Sequence, residues 1–157
     1  MKVKMKTLLG IITFSFGLLL CCSVRAELVV EEPLSFGTFA ISNNSSISTI
    51  TVSSNDRSSS NNVIHILYPG QAGQLRLVNY PPYTRLYITA VLPQQSTVFV
   101  GLTEQFTLSQ VDMPDSVITD SLGEANMRLG GTLASSGNGG SYLDTTYNLS
   151  LMLSINY

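Results

Sequence analysis

The last eleven residues of the chain alternate strictly between two kinds of position. From Tyr147 to Tyr157 every odd-numbered residue is apolar, and four of the five even-numbered ones are Asn or Ser. A period of two is typical of a β-strand that buries one face. The pattern therefore predicts a C-terminal strand, and its apolar face consists of Tyr147, Leu149, Leu151, Leu153, Ile155 and Tyr157.

The same period runs through most of the chain and predicts about nine strands. Their apolar positions fall within Leu28–Phe36, Ile50–Val52, Val63–Tyr68, Leu75–Leu77, Leu86–Leu92, Val98–Leu102, Phe106–Leu108, Ala125–Leu133 and the C-terminal segment. The segments between them are rich in Gly, Pro, Asn and Ser, which favour turns. A short helix over Ser121–Leu129 is disfavoured because Gly123 interrupts it and Gly130-Gly131 follows. Many short strands at regular spacing predict an all-β sandwich or barrel.

Two of the connecting segments carry specific expectations. The polar stretch Ser53–Asn62 is predicted to be a mobile loop. The Gly-rich stretch Ala134–Ser141 is predicted to be the loop of a hairpin that joins the last two strands.

The first 26 residues resemble an export signal. Three lysines fall within the first six residues, Leu8–Leu20 is apolar, and Val24-Arg25-Ala26 offers a cleavage site. The apolar run is shorter than the roughly 20 residues that span a bilayer, so no membrane span is expected. A lipid anchor at Cys21 or Cys22 is the weaker alternative. Cleavage after Ala26 predicts an exported protein with one sandwich domain over residues 27–157.

Cleavage changes the composition of the chain. The remaining 131 residues (157 − 26) contain no Cys, Lys or Trp, and four arginines stand against ten acidic residues, a formal charge of −6 (4 − 10). This balance argues against binding to nucleic acid or to anionic lipid. Disulfides cannot support the fold, so an apolar core must do so.

No arrangement of residues points to catalysis or to a cofactor. His65 is the single histidine and lies within a predicted strand, where a surface or core position is the ordinary interpretation. Asp112, Asp115 and Asp120 are close in sequence, but their spacing does not match a calcium loop. The Gly-rich stretch 130–140 lacks the Gly-Lys-Ser/Thr ending of a phosphate loop. The sequence predicts neither an enzyme nor a metal site.

Tyrosines near a double proline suggest a different kind of site. Tyr80 and Tyr83 flank Pro81-Pro82, and this turn is expected to be exposed. A tyrosine ring combines apolar area with a hydroxyl group, which suits sugar or peptide ligands. Tyr80 and Tyr83 are therefore the candidate binding loop, although packing or turn roles are the ordinary alternative.

The order of the short motifs resembles a known group of proteins. LSFGTF at Leu34–Phe39 is followed by a Ser/Thr-rich strand at Thr49–Ser54, by SLGEANMRLGGTL at Ser121–Leu133 and by the aromatic-ended C-terminal strand. Together they resemble a family of small secreted bacterial proteins of unknown function that look like pilins of the chaperone-usher and spore-coat-U type.

The resemblance implies an immunoglobulin-like, Greek-key antiparallel sandwich of about seven to nine strands. It also implies that the final strand, through Leu149, Leu151, Leu153, Ile155 and Tyr157, contacts a periplasmic chaperone or a neighbouring subunit. The chain departs from many pilins because it has no cysteine pair after residue 26. Its N-terminal segment Glu27–Pro33 is also short and charged for a donor strand.

Two functions remain open at this point. The first is a secreted, non-enzymatic structural subunit or surface protein of a fimbria-like assembly, which acts through β-strand complementation with identical subunits or a chaperone and usher. The alternative is a self-complete secreted sandwich that binds carbohydrate or a surface polymer. The C-terminal strand favours the first function, and the Tyr80–Tyr83 turn favours the second.

Overall fold

The computed structural model describes residues 25–92, 94–97 and 103–157. Twelve β-strands and no helix form within these residues. The strands are β1 (Glu27–Glu32), β2 (Thr38–Ile41), β3 (Thr49–Val52), β4 (Ser58–Ser60), β5 (Ile64–Tyr68), β6 (Gly73–Val78), β7 (Arg85–Ala90), β8 (Gln94–Gln95), β9 (Thr107–Asp112), β10 (Ser116–Ile118), β11 (Ala125–Ala134) and β12 (Leu153–Asn156). The predicted strand Val98–Leu102, and the predicted signal peptide as far as residue 24, lie outside the described residues.

All strand pairs are antiparallel, and they form three sheets. The largest sheet has seven strands in the order β1-β6-β11-β3-β4, with β9 also paired to β11 and β8 paired to β9. The second has three strands in the order β10-β7-β12, and the third consists of β2 and β5. This arrangement confirms the predicted all-β antiparallel sandwich.

Strand β11 organises the largest sheet. Its first half pairs with β6, and its second half pairs with both β3 and β9. Because β3 and β9 pair with the same residues, 131–134, they must lie on opposite edges of β11. The position of β11 confirms a strand rather than a helix over the segment that begins at Ala125.

The apolar faces of the strands meet in two core clusters. The first core cluster is built from β6, β7 and β11 and contains Leu75, Leu77, Tyr80, Leu86, Ile88, Ala125, Met127 and Leu129. The second core cluster contains Ile50, Ile64, Phe106, Leu108 and Leu133. Val111 and Leu151 are half-buried and pack against both clusters. Alternating burial along β6 and β7 shows that period two correctly identified their core faces.

Two sequence predictions about connections are wrong. Ser53–Asn62 is not only a loop, because β4 forms within it and pairs with β3. Ala134–Ser141 is not a hairpin loop, because β11 does not pair with β12; β12 pairs with β7 of the three-stranded sheet. Alternation shows which face of a strand is apolar, but it carries no information about the partner strand.

The strand count also exceeds the seven to nine that were expected. Strands β4, β8 and β10 have three, two and three residues. Such short segments cannot display a period of two, so they form only because longer strands provide pairing partners.

Glycines in two of the sequence motifs have a steric reason. Gly37 of LSFGTF has a φ of 74°, and a Cβ there would overlap the Tyr68 carbonyl oxygen. Gly130 of the GGTL motif lies where a Cβ would overlap the Val52 carbonyl oxygen. Both positions therefore require glycine: Gly37 allows the chain to enter β2, and Gly130 allows β3 to approach β11.

Candidate functional site

The C-terminal segment keeps its alternation in three dimensions. Between Tyr147 and Asn156 every odd-numbered residue is half-buried and every even-numbered one is exposed. Leu149 packs against the second core cluster, Leu153 and Ile155 against the first, and Leu151 against both. The predicted apolar face therefore exists, but its residues are covered only in part.

Regular strand structure covers less of this segment than predicted. Only Leu153–Asn156 form β12, and further upstream Asn148 makes an isolated antiparallel bridge with Thr97. The Met152 carbonyl accepts a hydrogen bond from the Val91 N–H at 3.0 Å. One edge of the segment is thus fastened, at intervals, to the stretch of chain that begins with β7.

The opposite edge of the C-terminal segment has no partner strand among the described residues. The Ile88 N–H donates to the Asp115 carbonyl, so the peptide groups of Ile88 point away from β12. Ile155 lies opposite Ile88 on β12 and therefore makes no backbone hydrogen bond to β7. Ser154 and Asn156 therefore bond to β7, and the peptide groups of Leu153 and Ile155 point to the other edge. The free edge carries backbone donors and acceptors beside a half-covered apolar face.

A second free edge borders the second core cluster. The Ser42 N–H donates to the Val63 carbonyl. This bond shows which residues of β2 direct their peptide groups toward β5 and which direct them away from it. By that alternation, the peptide groups of Phe39 and Ile41 point away from β5. Among the described residues β2 has β5 as its sole partner strand. Sequence analysis missed this edge, because the motif LSFGTF gave no indication of where β2 would pair.

The C-terminal segment carries no charged side chain of its own. From Thr145 to Tyr157 there is no Asp, Glu, Lys, Arg or Pro. Natural sheet edges usually carry charges, prolines or bulges that prevent pairing with another chain. The C-terminal edge therefore has the chemistry of a strand-pairing site.

Tyr157 and Tyr80 meet at the end of this segment. The two rings are arranged edge to face, with their centres 5.5 Å apart. Tyr80 belongs to the first core cluster, and its burial, helped by the nearby Tyr157, raises the pKa of its phenol. Tyr157 itself is 69% exposed. Tyr80 is thus a core residue, so the expectation that its side chain is exposed is wrong.

Tyr83, the other residue of the predicted binding loop, is at the surface. Its side chain is 74% exposed, and its φ of 53° lies in the left-handed region, which is uncommon for a bulky residue. The structure therefore separates Tyr80 from Tyr83, one in the core and one in solvent.

The candidate catalytic and metal residues do not come together. His65 is exposed on β5. Asp112 accepts a hydrogen bond from the Ser54 N–H at 2.7 Å, and bonding to Ser54 lowers the pKa of its carboxyl group. Asp120 accepts from the N–H groups of Leu122 and Glu124. In the part of the chain that the structure describes, no three His, Cys, Asp or Glu residues are grouped to hold a metal ion.

Comparison with known proteins adds no relative. No family model, curated protein or solved structure matches the chain. The resemblance to pilins therefore stays a prediction. Over residues 25–92, 94–97 and 103–157, no helix has the length and apolar character needed to cross a membrane.

Proposed function

We propose that this protein is an exported, non-enzymatic structural subunit or surface protein of a fimbria-like assembly, and that it acts through β-strand complementation at its C-terminal edge. One observation carries the proposal. The peptide groups of Leu153 and Ile155 are unpaired within the described residues, beside an apolar face that is covered only in part.

An added strand would satisfy both features of this edge. Its backbone would bond to the free peptide groups, and its alternate side chains would complete the cover over Leu149, Leu151 and Leu153. Apolar burial contributes about 25 cal/mol per Å², so completing the cover stabilises the complex beyond the gain from hydrogen bonds. The partner is another copy of this chain or, during export, a periplasmic chaperone with its usher.

The N-terminal strand is a poor choice as the added strand. β1 pairs with β6 of its own chain over Glu27–Glu32, and Glu31 forms an ion pair with Arg76. Three of the six residues of β1 are glutamates, which are unfavourable in an apolar cleft. We therefore place the donor elsewhere in the partner.

The test measures the mass of the protein and the resistance of its oligomers to denaturation. Protein produced from the full-length gene is purified without a chaperone, and its mass is determined at several concentrations and on denaturing gels with and without heating. We expect oligomers and a heat-sensitive ladder. A monomer at all concentrations that unfolds in a single two-state transition would contradict the proposal.

A pair of variants at Leu153 isolates the free edge. Leu153→Ala and Leu153→Pro both shorten the apolar side chain, but only proline removes the N–H that points to the free edge. Monomer stability should be similar in the two variants, because that N–H makes no bond to β7. We expect Leu153→Pro to lose assembly that Leu153→Ala retains. Equal assembly in both variants would show that no strand pairs at this edge.

A further inference from the structure

The outer face of the three-stranded sheet presents a row of exposed side chains that the assembly edge does not use. Along β7, Leu86 and Ile88 point into the core, while Arg85, Tyr87 and Thr89 are exposed on the opposite face. Tyr87 is 57% exposed at the centre of this row. A large exposed aromatic ring in the middle of a central strand, with partner strands on both sides, is a natural stacking surface.

The residues opposite Tyr87 can form hydrogen bonds but are uncharged. Ser116 of β10 lies directly opposite it on one side, and Asn156 of β12 lies opposite it on the other. Directly opposed residues on the same face are near neighbours, with Cβ atoms about 5 Å apart. One exposed ring therefore sits between a hydroxyl and a carboxamide, the groups that pair with the hydroxyls of a sugar.

Arg85 supplies the positive charge of this face. Its Nη1 donates to the Ser116 hydroxyl at 3.0 Å, which holds the guanidinium beside Tyr87. Among the described residues Arg85 has no carboxylate within ion-pair distance, whereas Arg76 and Arg128 on the seven-stranded sheet are each paired with acidic side chains. The guanidinium can therefore form a bidentate contact with a carboxylate from a ligand.

The turn before β7 adds a second exposed tyrosine in a fixed position. The buried Thr119 hydroxyl donates to the Pro81 carbonyl at 2.7 Å and accepts from the Thr84 N–H at 2.9 Å. The Tyr83 N–H donates to the Asp120 carbonyl. These bonds hold Tyr83 in its left-handed conformation, two residues before Arg85. Strain that the surrounding structure maintains is a feature of ligand-binding sites.

We propose that Tyr83, Arg85 and Tyr87 form a binding surface for an oligosaccharide that carries carboxylate groups, such as a chain of uronic acids. The tyrosine rings stack on sugar rings, Ser116 and Asn156 bond to hydroxyls, and Arg85 binds a carboxylate. The formal charge of −6 (4 − 10) over residues 27–157 opposes a polyanion held by overall charge alone. Stacking, hydrogen bonds and one local arginine, which has no ion-pair partner among the described residues, hold this ligand instead. The surface does not depend on the proposed assembly. It keeps Tyr83 of the expected carbohydrate site and replaces the buried Tyr80 with Arg85 and Tyr87 of β7.

Calorimetric titration with defined tetrasaccharides tests the proposal. The probes are tetramers of galacturonic, glucuronic and mannuronic acid, each with its methyl ester, which keeps the sugar rings but removes the charge. We expect at least one acid tetramer to bind, its ester to bind about tenfold more weakly or worse, and the affinity for the acid to fall as salt is added. No binding by any acid tetramer, or equal binding of acid and ester, would overturn the proposal.

Variants of exposed residues locate the site without disturbing the core. Arg85→Gln and Tyr87→Ala should each weaken binding of the acid tetramer by about tenfold. Tyr83→Asn should weaken it while retaining a residue that tolerates positive φ. Arg57→Gln and Tyr68→Ala, at exposed positions elsewhere, are the matched controls and should bind normally. Unchanged affinity in the β7 variants, with unfolding midpoints like the wild type, would place binding elsewhere.

Discussion

Two edges of the sandwich differ in how they are protected from other chains. β1 is the first strand of the seven-stranded sheet, and it combines Glu27, Glu31 and Glu32 with a bulge between Val30 and Glu32. The C-terminal segment has neither a charged side chain nor a proline. Charges and bulges prevent the pairing of edges between molecules, so β1 is protected and the C-terminal edge is not.

The two edges also differ in how far their apolar side chains are buried. Val30 pairs opposite the buried Leu75 and yet is 57% exposed. β1 contacts the first core cluster through Leu28 and is otherwise held by its ladder and by polar contacts with Arg76 and Gln74. Leu151, by contrast, packs against both core clusters. The C-terminal segment is thus firmly part of the fold on one side and open on the other. β1 contacts only the first core cluster, through Leu28, but its edge is closed to partners.

The largest expected effect comes from the same new charge placed at each edge. Leu151→Asp puts a carboxylate between the two core clusters and should lower the free energy of unfolding by about 3 kcal/mol or more. Val30→Asp places it at an exposed position and should lower it by less than about 1 kcal/mol. Urea denaturation of both variants measures the difference. Similar losses would mean that the two edges do not differ in burial.

The next largest effect is expected when charge is removed from β1, and it should change association between molecules rather than folding. Glu31→Gln with Glu32→Gln removes two of the three charges that protect the strand, so we expect new concentration-dependent association by light scattering. The control is Asp115→Asn with Asp144→Asn, which removes the same charge from exposed positions outside strands. Association in the control to the same extent would show that net charge, not protection of the edge, keeps molecules apart.

The sequence was sufficient to predict the strand class and the apolar face of the last segment. Both depend on period two, because every second side chain of a strand faces the core. Leu149, Leu151 and Leu153 are half-buried for this reason, and the residues between them are exposed. Pairing could not be predicted, because the segment after Ala134 crosses to β7 rather than folding back on β11. The free edge of the C-terminal segment is a consequence of that crossing. The alternation of apolar and polar residues in the segment does not indicate it.

The two tyrosines of the predicted loop show a second limit. Tyr80 and Tyr83 are three residues apart and chemically identical, and one is buried while the other is exposed. The difference arises from the backbone of the turn, where Asn79 and Tyr83 both have positive φ. Bonds from Thr119 and Asp120, nearly forty residues later, fix this turn. No local property of Tyr80 or Tyr83 indicates those partners.

The smallest expected effect concerns the contact that fastens β1 to its neighbour. Arg76 binds Glu31 at 2.8 Å and Glu124 at 3.4 Å. The hydrogen bond that Arg76 donates to Glu31, together with the charge of Glu124, raises the pKa of the guanidinium. The groups are exposed, so Arg76→Gln should lower the unfolding midpoint only slightly, and by less than Leu151→Asp does. Added salt should lower the midpoint of the wild type by more than that of Arg76→Gln, because the variant lacks one of the contacts that salt screens. Arg57→Gln, an exposed arginine in the turn before β4, should respond to salt like the wild type. A large loss in Arg76→Gln that salt does not affect would mean that packing of the arginine stem, and not its charge, fastens β1.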